Sequence, residues 1–341
     1  MFTFILFLVV VYLLAVLAVT LPYWYETGNT PCEDIPAGTW SVRGVIRLWL
    51  DAAWTALFLC IAILADPILR RVGKKDATDP DDLPPVLLVH GLYHNASGWI
   101  FLRKRLEKAG FRKIHTFVYS SWKTDIAFIT NRLNTAVLEV ERQYPGRKPL
   151  LVGHSLGGLI IRNWLAKEEN QERILGLVTL GTPHRGSKMA ALAFGKLGRS
   201  LLPANAFFDD LARTEKPASI PCVSLAAEAD TMVLPQCCLV PVTKGWELKL
   251  TPYATHAGLL VKGAVLRMAV WELHRMVAAA RKDTDAAPSG TAARNVAAPA
   301  HAPEFPEPEQ TEAPAPIEPE RPAAPESETP TTKTAKKKKK R

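Results

Sequence analysis

The sequence has little cysteine and no evenly spread charge, and each shortage excludes a class of protein. Five cysteines among 341 residues are too few for a disulfide-stabilised scaffold, and none of their spacings resembles a zinc site. The net charge is +9, but Lys333 and residues 336–341 carry +7 of it. The rest of the chain is therefore nearly neutral, which excludes a domain that binds nucleic acid through a generally basic surface.

The amino-terminal segment lacks the basic residues of a secretory signal, and its apolar run is too long for one. Residues 2–21 contain no charged side chain and are long enough to cross the hydrocarbon core of a bilayer, which is about 30 Å thick. Tyr23, Trp24 and Tyr25 follow, as aromatic residues do at a membrane interface. We expect an uncleaved transmembrane helix.

A second apolar segment occupies residues 48–65 and is interrupted only by Asp51. It is either a second span or an interfacial or buried helix, with Asp51 a polar residue near the helix end. Four basic residues follow between positions 70 and 75. If the segment crosses, the positive-inside tendency places everything after Arg70 in the cytoplasm. If it does not cross, the remainder lies outside, anchored by one helix.

Beyond an acidic, proline-bearing linker at 76–85, short apolar runs alternate with helical patterns, and this part of the chain, 86–280, reads as one domain. The predicted strands are 86–89, 114–119, 150–153, 174–180 and 222–226, and the predicted helices are 99–109, 126–144, 156–167 and 256–280. Strands that alternate with helices indicate an α/β fold, with a mostly parallel sheet covered on both faces.

The carboxyl-terminal tail, residues 281–341, is rich in Pro, Ala and Glu and cannot bury enough apolar surface to fold, so we expect disorder. Its basic end at 336–341 is either a solubilising tail or a contact for an anionic surface, such as a cytoplasmic leaflet or nucleic acid.

The strongest chemical signal is the sequence GHSLGG at 153–158, directly after an apolar strand. This is the G-x-S-x-G nucleophile elbow in its strand-turn-helix context. Gly153 and Gly157 permit the sharp turn and the close approach of strand and helix, so that Ser155 is exposed at the carboxyl end of the strand. The helix that begins at Leu156 directs free N–H groups toward a developing oxyanion.

A second signal, His90-Gly91-Leu92, follows the first strand of the predicted sheet. In such sheets an early strand-to-helix loop supplies the other oxyanion-hole N–H, which we assign to Leu92 beside that of Leu156. His90 is expected to order this loop by hydrogen bonds rather than to act as the base.

These motifs, together with GTPHRGS at 181–187, resemble the α/β-hydrolase superfamily, and bacterial lipases and esterases in particular. The resemblance covers about 200 residues and excludes the membrane segments and the tail. It implies a Ser, then Asp or Glu, then His order along the chain. It also implies a lid at 187–213, an insertion rich in Leu and Phe that suits long acyl esters; an ordinary packed pair of helices is the alternative.

The acid and the base are sought downstream of Ser155. Asp230 follows the predicted strand at 222–226, and DTMVLP at 230–235 resembles the acid turn of these hydrolases, with Glu228 in reserve. His256 is the expected base, since it follows a strand-like stretch and opens the last predicted helix. His274 lies deep in that helix, and His184 precedes the acid and would break the order.

These assignments predict a membrane-anchored serine hydrolase that acts on acyl esters through Ser155, Asp230 and His256 and needs no cofactor. An acyltransferase or thioesterase with the same triad, and a non-catalytic membrane scaffold, are the alternatives. A bridge from Cys222 to Cys237 or Cys238 would indicate an oxidising compartment, and free thiols the cytoplasm. The oligomeric state is left open.

Overall fold

The computed structural model describes residues 2–36, 41–72 and 83–286. The predicted linker at 76–85 lies outside the described residues as far as residue 82. The predicted tail also lies outside them from residue 287 onward, together with its lysine block at 336–341. Residues 83–286 are called the sheet domain below.

Six parallel strands form the centre of the sheet domain, in the order β2-β1-β3-β4-β5-β6. Their bounds are β1 Val86–Val89, β2 Ile114–Phe117, β3 Leu150–His154, β4 Gly176–Leu180, β5 Cys222–Ala226 and β6 Trp246–Leu250. Every residue of β1, β3, β4 and β5 is buried, which explains why these strands read as unbroken apolar runs. The predicted parallel α/β fold is confirmed.

Helices cover both faces of the sheet and enclose two apolar cores. Their bounds are α3 Ile100–Lys108, α4 Ile126–Gln143, α5 Leu156–Leu165, α6 Glu168–Gln171, α7 Gly195–Arg199, α8 Ala206–Thr214 and α9 Gly263–Ala286. Alternate residues of β1 point to opposite faces, so Val86 and Leu88 pack in one core with α3 and α9, and Leu87 and Val89 in the other with α4 and α5.

The last helix differs from the predicted 256–280 at both ends. His256 precedes a 3-10 turn at Ala257–Leu260, and α9 begins only at Gly263. The backbone of Val261 leaves the helical region (φ −121°), and the glycines at 258 and 263 weaken helix propensity across this stretch. At its other end α9 continues to Ala286, so the first residues of the predicted tail are helical.

Two long apolar helices precede the sheet domain, α1 Phe2–Asn29 and α2 Val42–Val72, and both are long and apolar enough to cross a membrane. We call them the helical pair. One face of α2 is nevertheless buried, at Leu48, Ala52, Thr55, Leu59 and Ala62. This spacing marks a single helical stripe.

The stripe on α2 packs against the sheet domain. Phe58 contacts Phe101 of α3, with ring centroids 5.1 Å apart, and the Asn95 side chain donates to the carbonyl of Ile63. Tyr23 of α1 is also almost fully buried, at 2 % exposure, although the sequence places it in an interfacial aromatic belt. The helical pair is therefore packed on the domain that follows it.

A buried ion pair ties α5 to the segment after α8. The Arg162 guanidinium donates to both carboxylate oxygens of Glu215, at 3.0 and 2.7 Å, and also to the carbonyl of His184. The two side chains are only 2 % and 7 % exposed. Losing one partner would leave an unpaired charge in a dry environment.

We therefore expect Arg162→Met to lower the free energy of unfolding by about 3–5 kcal/mol, because Glu215 would lose its counter-charge without gaining water. Urea unfolding in detergent measures this. The control is Arg213→Ala, since Arg213 pairs with Asp210 at an exposed site and should contribute only about 0–1 kcal/mol. Equal effects of the two substitutions would contradict the expectation.

Candidate active site

Ser155 stands in a strained turn between β3 and α5. Its φ of 54° and ψ of −124° lie outside the regions that non-glycine residues normally adopt. The Ser155 N–H donates to the carbonyl of Leu180 on β4 at 2.9 Å, which holds the turn against the neighbouring strand. Strain of this kind persists only where surrounding contacts enforce it, and it concentrates at functional sites.

The glycines of the elbow are required by close packing. A Cβ on Gly157 would lie 2.1 Å from the carbonyl oxygen of Val89, and one on Gly153 would lie 2.5 Å from the Cα of Gly158. Either side chain would push α5 away from the sheet. The sequence pattern GHSLGG therefore corresponds to a tight β3-turn-α5 unit.

Asp230 is fully buried in the turn after β5. Its Oδ1 accepts hydrogen bonds from the backbone N–H groups of Met232 and Val233, at 2.8 and 2.9 Å. Its Oδ2 lies 2.7 Å from Nδ1 of His256. The backbone donors fix the orientation of the carboxylate, so its second oxygen is directed at the imidazole.

His256 lies next to the elbow. The ring of His154, the residue before Ser155, has its centroid 4.8 Å from that of His256, and His154 Nε2 is 3.3 Å from the His256 carbonyl oxygen. Gly181 passes beside the pair, where a Cβ would lie 3.0 Å from Asp230 Oδ2 and 3.1 Å from His256 Nδ1. The structure thus brings Asp230, His256 and the Ser155 turn together.

The loop after β1 also reaches the elbow. A Cβ on Gly91 would lie 3.0 Å from the Cβ of Ser155. Leu92 follows Gly91 in this loop, and Leu156 is the first residue of α5. Among the described residues, no acceptor is found for the backbone N–H group of either one. Both assigned oxyanion-hole residues therefore belong to segments that meet at Ser155.

The sequence does not predict the backbone conformation of Tyr93. It is the only described non-glycine residue besides Ser155 with positive φ, at 58°. Its N–H donates to Ser121 Oγ at 2.8 Å, and its ring packs on Trp122. The short sequence HGLYH does not predict a positive φ at Tyr93. The contacts with residues 121 and 122 impose this conformation.

The remaining histidines and the reserve acid have other partners. His90 stacks on Tyr119 at 4.2 Å, with Nδ1 2.9 Å from the Gly91 carbonyl oxygen and Nε2 accepting from the Tyr119 N–H. His184 Nε2 lies 3.1 Å from Ser224 Oγ, and His274 packs on Phe111. None of these contacts involves Asp230.

Glu228 meets α1 rather than His256. Its carbonyl oxygen accepts from the Tyr23 hydroxyl at 3.0 Å.

All five cysteines are free, and burial raises the pKa of both Cys222 and Cys238 to about 12, which keeps them as thiols.

The predicted lid at 187–213 contains a 3-10 turn at Lys188–Leu192 followed by α7 and α8. Leu197 and Leu211 are buried, whereas Leu192 and Phe194 are 63 % and 72 % exposed. The Tyr93 hydroxyl accepts from the Phe194 N–H at 2.8 Å and lies 2.5 Å from its carbonyl oxygen. The exposed apolar part of the segment is therefore tied to the loop that carries Leu92.

Part of the sheet domain matches a known protein family. A family model for the alpha/beta hydrolase fold matches residues 84–204. This chain has the α/β-hydrolase fold. Triacylglycerol lipase 2 of Saccharomyces cerevisiae is 34 % identical over 95 residues, 27 % of this chain and 29 % of that protein. The chain thus spans under a third of the length of that relative.

Solved structures of lipases align with more than half of this chain. The mature lipase BlEst2 of Bacillus licheniformis is 20 % identical and covers 59 % of this chain and 96 % of its own, with a TM-score of 0.49. The monoacylglycerol lipase of Paleococcus ferrophilus is also 20 % identical and covers 57 % and 96 %, with a TM-score of 0.45.

Burial keeps several histidines of the sheet domain neutral. Desolvation, with smaller contributions from His90 and His256, lowers the pKa of His94 to about 4. Desolvation first, and then the neighbouring His256 and His94, also lower the pKa of His154 well below its ordinary value. An uncharged ring at 154 avoids placing a fixed positive charge beside His256.

The pKa of His94 predicts a loss of stability in acid. Below pH 6.5 the unfolded chain takes up a proton that folded His94 does not bind until about pH 4, so the free energy of unfolding falls across this interval. Between pH 7 and 5 we expect wild type to lose on the order of 2 kcal/mol more than His94→Gln. Urea unfolding at the two pH values measures the difference, and parallel losses would contradict the assignment.

Proposed function

We propose that this hydrolase is a serine esterase that cleaves carboxylic esters, with lipid acyl esters as its substrate class. The observation that carries the proposal is the strained Ser155 turn beside the buried Asp230–His256 pair, whose Nδ1–Oδ2 distance is 2.7 Å. A fold that needed only to pack would have no reason to maintain this backbone strain next to a buried carboxylate.

The proposed reaction begins with His256. Its Nδ1–H donates to Asp230, so Nε2 is free to remove the proton of the Ser155 hydroxyl as Oγ bonds to the ester carbonyl carbon. The carbonyl electron pair moves to oxygen, and the N–H groups of Leu92 and Leu156 stabilise the oxyanion. Removing one such donor typically costs about 10²–10³ in rate.

The tetrahedral adduct collapses by breaking the bond to the alcohol, which leaves with the proton from His256. A water then gives a proton to His256 Nε2 as its oxygen bonds to the acyl carbon. The bond from that carbon to Ser155 Oγ breaks, and Oγ takes the proton from Nε2, which releases the acid and restores Ser155. Asp230 retains its negative charge and stabilises the imidazolium in both halves of the reaction.

Lipid acyl esters are favoured by the surroundings of the site. Leu192 and Phe194 expose apolar side chains near the Leu92 loop, and the helical pair exposes apolar residues along much of its length. An apolar entrance beside a membrane anchor would admit a long acyl chain without passing it through water. The similarity to a triacylglycerol lipase agrees with this class.

Membrane anchoring is proposed through α1, which is apolar and mostly exposed over its first twenty residues. The predicted cytoplasmic placement requires α2 to cross as well, whereas the buried stripe on α2 favours a position against the sheet domain. Reporter fusions after Arg341 separate the two arrangements. A reporter active only in the cytoplasm supports two crossings, and one active only after export supports a single crossing.

The esterase proposal predicts that a fluorescent fluorophosphonate labels the full-length wild type in detergent. Ser155→Ala should abolish labelling because the nucleophile is gone, and His256→Ala should slow it by at least about 10³-fold because no base remains. Gel fluorescence against time measures both.

The matched control is Ser200→Ala. The Ser200 hydroxyl donates a hydrogen bond to the Leu197 carbonyl and should not react with the fluorophosphonate. Labelling that survives in Ser155→Ala would overturn the choice of nucleophile. A folded wild type that is not labelled at all would favour the scaffold alternative.

A further inference from the structure

Asp51, the one charged residue of the second apolar segment, reaches the turn that carries His256. Its Oδ2 accepts hydrogen bonds from the backbone N–H of Thr255 at 3.2 Å and from the Thr255 hydroxyl at 3.0 Å. Its Oδ1 lies 2.7 Å from the Lys262 ammonium, and the Asp51 side chain is only 14 % exposed. These partners lie on both sides of His256 in the sequence.

Thr255 is in turn hydrogen-bonded to the turn that follows His256. Its Oγ1 accepts from the N–H of Gly258 at 3.3 Å, and its carbonyl accepts from the N–H of Leu259 at 3.1 Å. Thr55, one turn after Asp51 on α2, also contacts the Thr255 hydroxyl at 3.2 Å. The backbone around His256 is therefore held from one side by its own turn and from the other by α2.

The acid turn is held in the same way by α1. The Tyr23 hydroxyl donates to the carbonyl of Glu228, two residues before Asp230, at 3.0 Å. Glu26 pairs with the Lys188 ammonium at 2.8 Å, and the Lys188 N–H donates to the Leu234 carbonyl at the end of the acid turn. Both loops that carry the proposed acid and base thus contact the helical pair.

We infer that Asp51 is a positioning residue for His256, and that the helical pair forms part of the active site as well as an anchor. The inference rests on the proposed function, because it assigns to Asp51 a role in aligning the proposed base. Losing the carboxylate would free the Thr255 N–H, leave the Thr255 hydroxyl without its acceptor on Asp51 and remove the carboxylate partner of Lys262 beside the turn. A displacement of about 1 Å at a catalytic group can cost about 10²-fold in rate.

The test is a graded series in the full-length protein in detergent, with hydrolysis of a short-chain p-nitrophenyl ester and fluorophosphonate labelling as readouts. Asp51→Ala should lower kcat by about 10 to 100-fold while KM changes by less than about twofold, since the base is displaced but the acyl site is not. Asp51→Asn retains an oxygen acceptor for Thr255 and should recover much of the loss. A role limited to the charge on Lys262 would make the two variants equal.

Cys60→Ala is the control on the same helix, since Cys60 is exposed and free, and it should match wild type. If Asp51→Ala does not fold, Thr255→Val decides, because it removes one hydroxyl and leaves the Asp51–Lys262 pair. The inference is overturned if folded Asp51→Ala, or Thr255→Val, has the kcat of wild type and the fluorophosphonate still labels Ser155. A wild type that does not label would instead overturn the esterase proposal.

Discussion

The approach of α5 to β1 is the contact on which the rest of the site depends. Gly157 lies so close to the Val89 carbonyl that no side chain fits between them, and the chain reverses two residues earlier, at Ser155. Ser155 has a positive φ at this reversal, and the start of α5 lies against the carbonyl groups of Val89 and His90 at the end of β1. Packing at this glycine thus bears on the position of both the proposed nucleophile and the proposed oxyanion donors.

The parts of the fold that the sequence predicts well are those with local causes. The buried strands are unbroken apolar runs because both faces of the sheet are covered, and the elbow is marked by glycines that its packing requires. The start of the last helix was placed wrongly, because the apolar pattern continues through the 3-10 turn at Ala257–Leu260. Nothing in that pattern records that His256 must turn toward Asp230.

The features that the sequence does not predict arise from contacts between distant segments. Tyr93 adopts its positive φ through the 121–122 segment, and Asp51 meets Thr255 across 204 residues of chain. From the sequence alone, Asp51 reads as a polar residue near the end of an apolar helix. Its partners become visible only when α2 is seen lying against the sheet domain with Leu48 and Leu59 buried.

The same packing of α2 on the sheet domain explains why its apolar segment, residues 48–65, contains a single acidic residue. The face toward the sheet domain needs small or apolar side chains to pack, and the opposite face exposes Leu50, Trp54 and Ile61. An aspartate on the packed face would be costly unless it were paired, and Lys262 with the two donors of Thr255 supplies that pairing. A residue that only ended a helix would need no such partners, and these partners adjoin the proposed base.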